Sequence, residues 1–239
     1  MQARLANPAD RDALAAFHGQ GFGPLPAEAA RDGGAADVLL VLEDAQGVLA
    51  GYALLRSPSL AAHFRRGVSV RRVPLAGIDR KLATLTLCND LCDAARLCAL
   101  RVAGEGDPAA AAAAVLLGAV QETARREAAR FGRRLYAALP GVQGADGDAV
   151  LWQALGRHFA AQGQAHLDGD AAALAELLPQ HTLYAGFLPA PARAVLGVAG
   201  DACRDVQGWL HAAGWQASDY VDPFDGGPVL LWPDGGAGR

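Results

Sequence analysis

Leu97-Cys-Ala-Leu-Arg-Val-Ala-Gly-Glu-Gly-Asp-Pro-Ala109 is the stretch on which the fold turns. Its apolar first half, Leu97–Ala103, reads as a buried strand. Gly104–Pro108 is a glycine-containing loop, and good helix formers then run from Ala109 to about Phe131. Asp107 suits the N-cap and Pro108 the first helical position. A strand that passes through such a loop into a helix aims free N–H groups and the positive end of the helix dipole at one point. With alanines in the first turn, a pyrophosphate could approach the backbone closely. A plain connection is the alternative, because Gly-x-Gly before a helix also arises by chance and Pro108 removes one donor.

Outward from this unit, Arg134–Leu139 supplies the next strand. Upstream, Ala3–Asn7 reads as a strand, Asp10 to His18 as a helix, and Gly21–Pro26 breaks the pattern. Val38–Leu42 and Val48–Leu55, joined by turn-rich Glu43–Gly47, read as a β-hairpin. Leu82–Cys88 is a further strand. Residues 56–81 look irregular and carry His63, Arg65, Arg66, Arg71, Arg72, Arg80 and Lys81. They form either a solvated basic face or a site for phosphate or carboxylate. Helices are expected at Asp148–Gln162, Ala171–Leu178, Ala190–Leu196 and Asp201–Ala213, and closing strands at Trp215–Asp222 and Val229–Trp232. This order gives an α/β fold. No linker separates independent units, so 1–232 reads as a single domain, with 233–239 a disordered tail.

Composition narrows the function classes. The 239 residues are 52% hydrophobic but only 6% aromatic, so alanine supplies much of the apolar fraction. The mean hydropathy of +0.14 therefore carries no membrane signal. No window is long and apolar enough to span a bilayer and the N-terminus lacks a secretory core, which points to a soluble, cytoplasmic chain. A net charge of −4 argues against a nucleic-acid binder. Cys88, Cys92, Cys98 and Cys203 lack paired C-x2-C spacing, so reduced, buried thiols are expected and no metal site. Trp152, Trp209 and Trp215 read as core, and His158 and His211 as structural helix residues.

Tyr220-Val-Asp-Pro-Phe-Asp-Gly-Gly-Pro228 packs two carboxylates, two aromatics and a glycine pair into nine residues. Taken alone it is a strand–turn–strand connection in which Asp222 and Asp225 either cap the turn or bind a cation.

Five collinear segments resemble the arginine N-succinyltransferases, GNAT-like acyl-CoA N-acyltransferases. They are Val41-Leu-Glu-Asp44; Leu87-Cys-Asn-Asp90 with Leu97-Cys98 and Leu100; Leu151-Trp-Gln-Ala-Leu-Gly-Arg-His-Phe159; Ala175-Glu-Leu-Leu-Pro179 with His181, Tyr184, Phe187 and Leu188; and Tyr220–Pro228. The resemblance implies a mixed central sheet flanked by helices, with 1–139 as the CoA-binding half and 140–232 completing the site. It implies transfer of succinyl from succinyl-CoA, a co-substrate rather than a permanently bound cofactor, to the α-amine of arginine or a close analogue such as ornithine. It implies main-chain contact with CoA at Leu100 and Val102, and pyrophosphate contact at Gly104 and Gly106. Asp90, Asp222 and Asp225 become candidates for the guanidinium, and Arg65, Arg66, Arg71 or Arg72 for the succinyl carboxylate.

The chain also departs from the family. The proton-donor histidine position falls on Gly200, which leaves His181 as the nearest substitute by motif or a plain loop residue. Leu91-Cys92-Asp93 stands where histidine, threonine and glycine are usual, and family members continue beyond Pro233–Arg239. The alternative expectation is therefore a diverged, non-catalytic subunit that assembles with itself or with a related chain. A GNAT enzyme for another acyl-CoA and amine is a third reading.

Overall fold

Two continuous apolar runs, buried along most of their length, form adjacent strands, and the other described strands extend the sheet from them. The computed structural model describes residues 1–23, 37–159 and 176–233. In chain order come β1 (Gln2–Leu5), α1 (Arg11–Ala15), β2 (Gln20–Phe22), β3 (Asp37–Glu43), β4 (Leu49–Arg56), β5 (His63–Val73), β6 (Ile78–Cys88) and β7 (Ala95–Val102). Then follow α2 (Gly106–Arg126), α3 (Ala128–Phe131), β8 (Arg134–Ala138), α4 (Val150–Ala154), β9 (Leu183–Tyr184), α5 (Ala190–Val195), α6 (Arg204–Ala212), β10 (Gln216–Val221) and β11 (Pro228–Pro233). Among the described residues the strands form one mixed sheet in the order β1-β3-β4-β7-β8-β11-β10-β5-β6-β9, with β2 added on β7. The pairings are antiparallel except β7 with β8.

The expected hairpin is β3 and β4, paired from Asp37↔Arg56 to Glu43↔Leu49. The long helix α2 lays Ala109, Ala112, Ala113, Leu116, Leu117, Val120 and Ala124 on the sheet at helical spacing. It begins at Gly106 rather than at Pro108, and its N-cap is Glu105 with no side-chain cap bond. On the opposite face α1 seats Leu14 against Leu39, Val41, Tyr52 and Leu54. A second cluster around Phe64, Leu85, Leu151, Leu188 and Val221 ties β5, β6 and β10 to α4 and α5. Trp152 and Trp215 are buried and Trp209 packs against the core, while the His211 ring bonds the carbonyl of Trp215.

Three expectations need correction. Of residues 56–81 only 57–62 are irregular: β5 and β6 pair from His63↔Cys88 to Val73↔Ile78 as one long hairpin. Its outer half exposes Val68 and Val70, so no face is buried and no period-two pattern marks it. The helix expected over Asp148–Gln162 is the single turn α4 followed by the 3-10 turn Gly156–His158. The break at Gly21–Pro26 begins as β2. Residues 24–26, 160–162, most of the helix expected at Ala171–Leu178, and 234–239 lie outside the described residues.

Strand β2 is short, and close backbone approach holds it. It pairs Gln20↔Val102, Gly21↔Arg101 and Phe22↔Leu100. A Cβ at Gly19, Gly21 or Gly23 would overlap the carbonyl oxygens of Val102, Leu100 and Cys98 in turn. Gly21 also has φ 147°, a region that other residues rarely adopt. Gly21→Ala is expected to destabilise the protein by about 2–4 kcal/mol through strain and overlap. Gly47→Ala, at φ 77° with open space around it, should cost only about 1 kcal/mol. Urea unfolding of the two variants checks this, and equal losses would mean that β2 is not docked in solution.

Candidate active site

Strands β7 and β8 touch only at Ala95↔Leu135 and Arg96↔Tyr136, and no further pairs follow along either strand. Beyond that end β7 and β8 part toward the loop that leads into α2, and the space between the two strands is the candidate cleft. The N–H of Ala103 donates to the carbonyl of Ala50 at 2.8 Å, on the β4 side. Strand alternation therefore turns the N–H and C=O of Leu100 and Val102 toward the cleft. Strand β2 occupies that edge. The Arg101 side chain crosses β2 opposite Gly21 and donates to the carbonyls of Gly23 (Nε, 2.9 Å) and Gly19 (Nη1, 3.1 Å). So the two residues expected to meet CoA through their main chain are paired with the protein's own glycine strand.

Gly104 and Gly106, with φ of 82° and 62°, make the loop, and a side chain at either would meet open space. Because α2 carries no side-chain cap, the N–H groups of its first turn face outward beside this loop. The expected glycine loop running into a helix start is thus present, with Asp107 and Pro108 inside the first turn rather than before it.

The Tyr220–Pro228 turn consumes its own carboxylates. Asp222 Oδ1 accepts the N–H groups of Phe224 (2.8 Å) and Asp225 (3.3 Å). Asp225 Oδ1 accepts from Gly227 and Oδ2 from Gly141, each at 2.8 Å. Gly200 lies on the same strut: its N–H donates to the Pro140 carbonyl at 2.9 Å, and Ala199 bridges Gly141. A Cβ at Gly200 would fall 2.7 Å from the Gly141 carbonyl oxygen. Its φ of −61° is open to any residue, so close backbone approach is what sets glycine there.

Asp90 sits in a different company. Its Oδ2 accepts the Tyr220 hydroxyl and an Arg65 N–H, each at 3.0 Å. The His63 ring stands 6.4 Å from the Tyr220 ring and 5.2 Å, edge to face, from that of Tyr136. His63 is 4% exposed and its Nδ1 has no hydrogen-bond partner. Burial, aided by the Arg96 charge, pushes its pKa down to about 4, so the imidazole is neutral at neutral pH. Burial likewise raises the Tyr136 and Tyr220 hydroxyls, and for Tyr220 the bond to Asp90 adds to the effect. Of the other cations expected for a carboxylate, Arg66 donates to the carbonyls of Leu196 and Ser218, Arg71 to the Tyr184 hydroxyl, and Arg72 pairs with Asp79.

His181 is exposed in the loop before β9, with β8, β11, β10, β5 and β6 between β9 and β7 in the sheet order. The structure does not bring it to the cleft. The four cysteine sulfurs are free, but only Cys203 is buried; Cys88 and Cys98 are half-buried and Cys92 exposed. Among the described residues no group of three His, Cys, Asp or Glu could hold a metal ion. No described helix is long and apolar enough to cross a membrane.

The family model described as "Arginine N-succinyltransferase beta subunit" matches residues 5–232. The chain belongs to this arginine N-succinyltransferase family. It is 33% identical over 209 residues to the arginine N-succinyltransferase subunit beta of Pseudomonas aeruginosa, covering 82% of this chain and 60% of that one. With the arginine N-succinyltransferase of Yersinia enterocolitica it shares 31% over 179 residues, 70% of this chain and 50% of the other. The chain thus spans between half and two thirds of the length of these relatives. Its fold matches the solved arginine/ornithine succinyltransferase subunit AI of Pseudomonas aeruginosa with a TM-score of 0.74, at 22% identity, over 98% of this chain and 77% of that one.

Within this arginine N-succinyltransferase family member, sequence reasoning missed the cluster of His63, Tyr136 and Tyr220, and the Arg101 clasp. The Gly19-x-Gly21-x-Gly23 alternation was the available signal for β2. No signal marked His63, which stands among exposed arginines in the sequence. Its lowered pKa fixes the sign of a pH effect. The unfolded chain protonates His63 near 6.5 and the folded one near 4, so its contribution is complete above about 6.5 and lost as pH falls toward 4. The loss is on the order of 3 kcal/mol. His63→Phe should flatten the stability profile between pH 6.5 and 4 in urea titrations; an unchanged slope would place the proton uptake elsewhere.

Proposed function

We propose that the chain is an acyl-CoA-dependent N-acyltransferase that moves succinyl from succinyl-CoA to the α-amine of arginine or a close analogue. The observation that carries this reading is the β7–β8 cleft, which opens into a glycine loop and an uncapped helix start. Family membership supports it. The pyrophosphate is assigned to Gly104, Gly106 and the first turn of α2, where N–H groups and the helix dipole both favour an anion. The pantetheine arm then runs down the cleft toward its closed end.

In the reaction the neutral amine attacks the thioester carbonyl, the carbonyl oxygen takes up negative charge, the C–S bond breaks as the thiolate leaves, and the nitrogen loses a proton. The N–H groups of Leu100 and Val102 are assigned to the developing oxyanion. Since β2 holds that edge, this role requires β2 to leave it. For the guanidinium we assign Asp90, which is partly exposed beside Tyr220, ahead of Asp222 and Asp225, whose oxygens hold the turn. His181, exposed and on the far side of the sheet order, is not assigned a role. The chain is read as acting in the cytoplasm on small molecules, alone or paired with a related subunit.

A second reading, a non-catalytic subunit, is favoured by two features: Gly200 is closed by the Gly141 carbonyl, and the Leu100–Val102 edge is filled by β2. Release of free CoA thiol from succinyl-CoA separates the two readings. The first expects release only when arginine or ornithine is present; no amine-dependent release across a panel of basic amino acids would leave the second. Hydrogen exchange tests the β2 requirement. Succinyl-CoA is expected to deprotect the amides of Gln20 and Phe22 at least about 10-fold as local opening becomes favoured. Binding with those amides still protected would assign the thioester to other donors.

A further inference from the structure

Arg96 differs from the other arginines on its side of the sheet. Arg56 is held by Asp37, Arg65 by Asp90 and Arg101 by two β2 carbonyls. Among the described residues the Arg96 guanidinium forms no such pair, and its Nε is buried with no hydrogen-bond partner. One more unpartnered buried atom lies close in the fold: Nδ1 of His63, whose ring packs on Tyr136, the residue paired with Arg96 across β7–β8.

Buried polar groups left unpaired are costly, and their clustering calls for a partner. A guanidinium near a neutral imidazole suits an acceptor with two oxygens, and a carboxylate meets an arginine fork through two parallel bonds.

Position selects which carboxylate. Ala95 and Leu97 lie in the core under α2, so alternation puts Arg96 on the opposite face, with Tyr136. Arg96 also stands at the closed end of the cleft, where β7 and β8 make their last contact. From Val102 to Arg96 an extended strand covers about 20 Å, a length that an extended pantetheine arm can follow.

We propose that Arg96 receives the distal carboxylate of the acyl group, and so selects a dicarboxylic acyl chain over a neutral one. The inference rests on the acyl-CoA reading above. It differs from the expectation that the cation would come from Arg65, Arg66, Arg71 or Arg72, each of which is already engaged.

Calorimetric titration of the full chain with succinyl-CoA and with butyryl-CoA, the same length with a methyl in place of the carboxylate, tests it. The unaltered protein is expected to bind succinyl-CoA at least about 30-fold more tightly, the scale of a lost charge-assisted fork. Arg96→Met should remove that preference by weakening succinyl-CoA alone, and Arg96→Lys, which keeps the charge and stem, should retain part of it. Equal affinities in the unaltered protein, or an undiminished preference in Arg96→Met, would overturn the proposal. If neither thioester binds, the acyl-CoA reading itself fails, and free succinate then decides for Arg96. A saturable shift of the His63 imidazole NMR signals that is absent in Arg96→Met supports the anion site; no shift in the unaltered protein refutes it.

Discussion

A strand that parts from its neighbour leaves a row of N–H and C=O groups with nothing to bond, and inside a protein that row must be satisfied. In this chain β7 meets β8 at two residue pairs, and beyond them its edge away from β4 has no partner in β8. Strand β2 answers this need, and much of the site's arrangement follows from it. Glycines alternate because side chains at those places would overlap the β7 carbonyls. Arg101 reaches across because its partner, Gly21, presents nothing to block it. The edge that family resemblance reserves for a thioester is the edge that the fold most needs to cover. Under the proposed reading, binding there and folding there would draw on the same donors.

The opposite face shows the complementary situation. At the closed end of the cleft the main chains of β7 and β8 pair, but side chains there do not: Arg96 and His63 each bury a nitrogen without a partner. Unpaired backbone was closed by the chain itself, whereas unpaired side chains were left open. That contrast separates a stretch where the fold satisfies itself from one where a small anion would complete it.

Much of the architecture was legible because its signals are local. The β3–β4 hairpin, the strand–loop–helix from Ala95 to Arg126 and the closing strands β10 and β11 each carry a period or a turn residue of their own. Of the arm formed by β5 and β6 only Leu82–Cys88 was legible, because the outer half buries neither face and so lacks alternation. The site was less readable than the fold. Asp222 and Asp225 have the composition of a cation site, but their oxygens are spent on N–H groups of Gly227, Gly141, Phe224 and Asp225 itself, which no sequence spacing reveals. His63 passed for part of a charged surface because the ring it packs on, Tyr136, is remote in the sequence and comes beside it only in the folded chain.

The alanine stripe of α2 has a consequence for the site's tolerance to change. The first half of the helix, seated on the methyl groups of Ala109, Ala112 and Ala113, rests close to the sheet with no long side chains to tilt or slide as shims. The height of its first turn above the cleft is thereby set by the thickness of the main chain. Enlarging any of Ala109, Ala112 or Ala113 would lift that end like a wedge under a lever, carrying the Gly104–Gly106 loop with it. A composition that looks uninformative in the sequence thus acts as the gauge that holds the mouth of the cleft at one width.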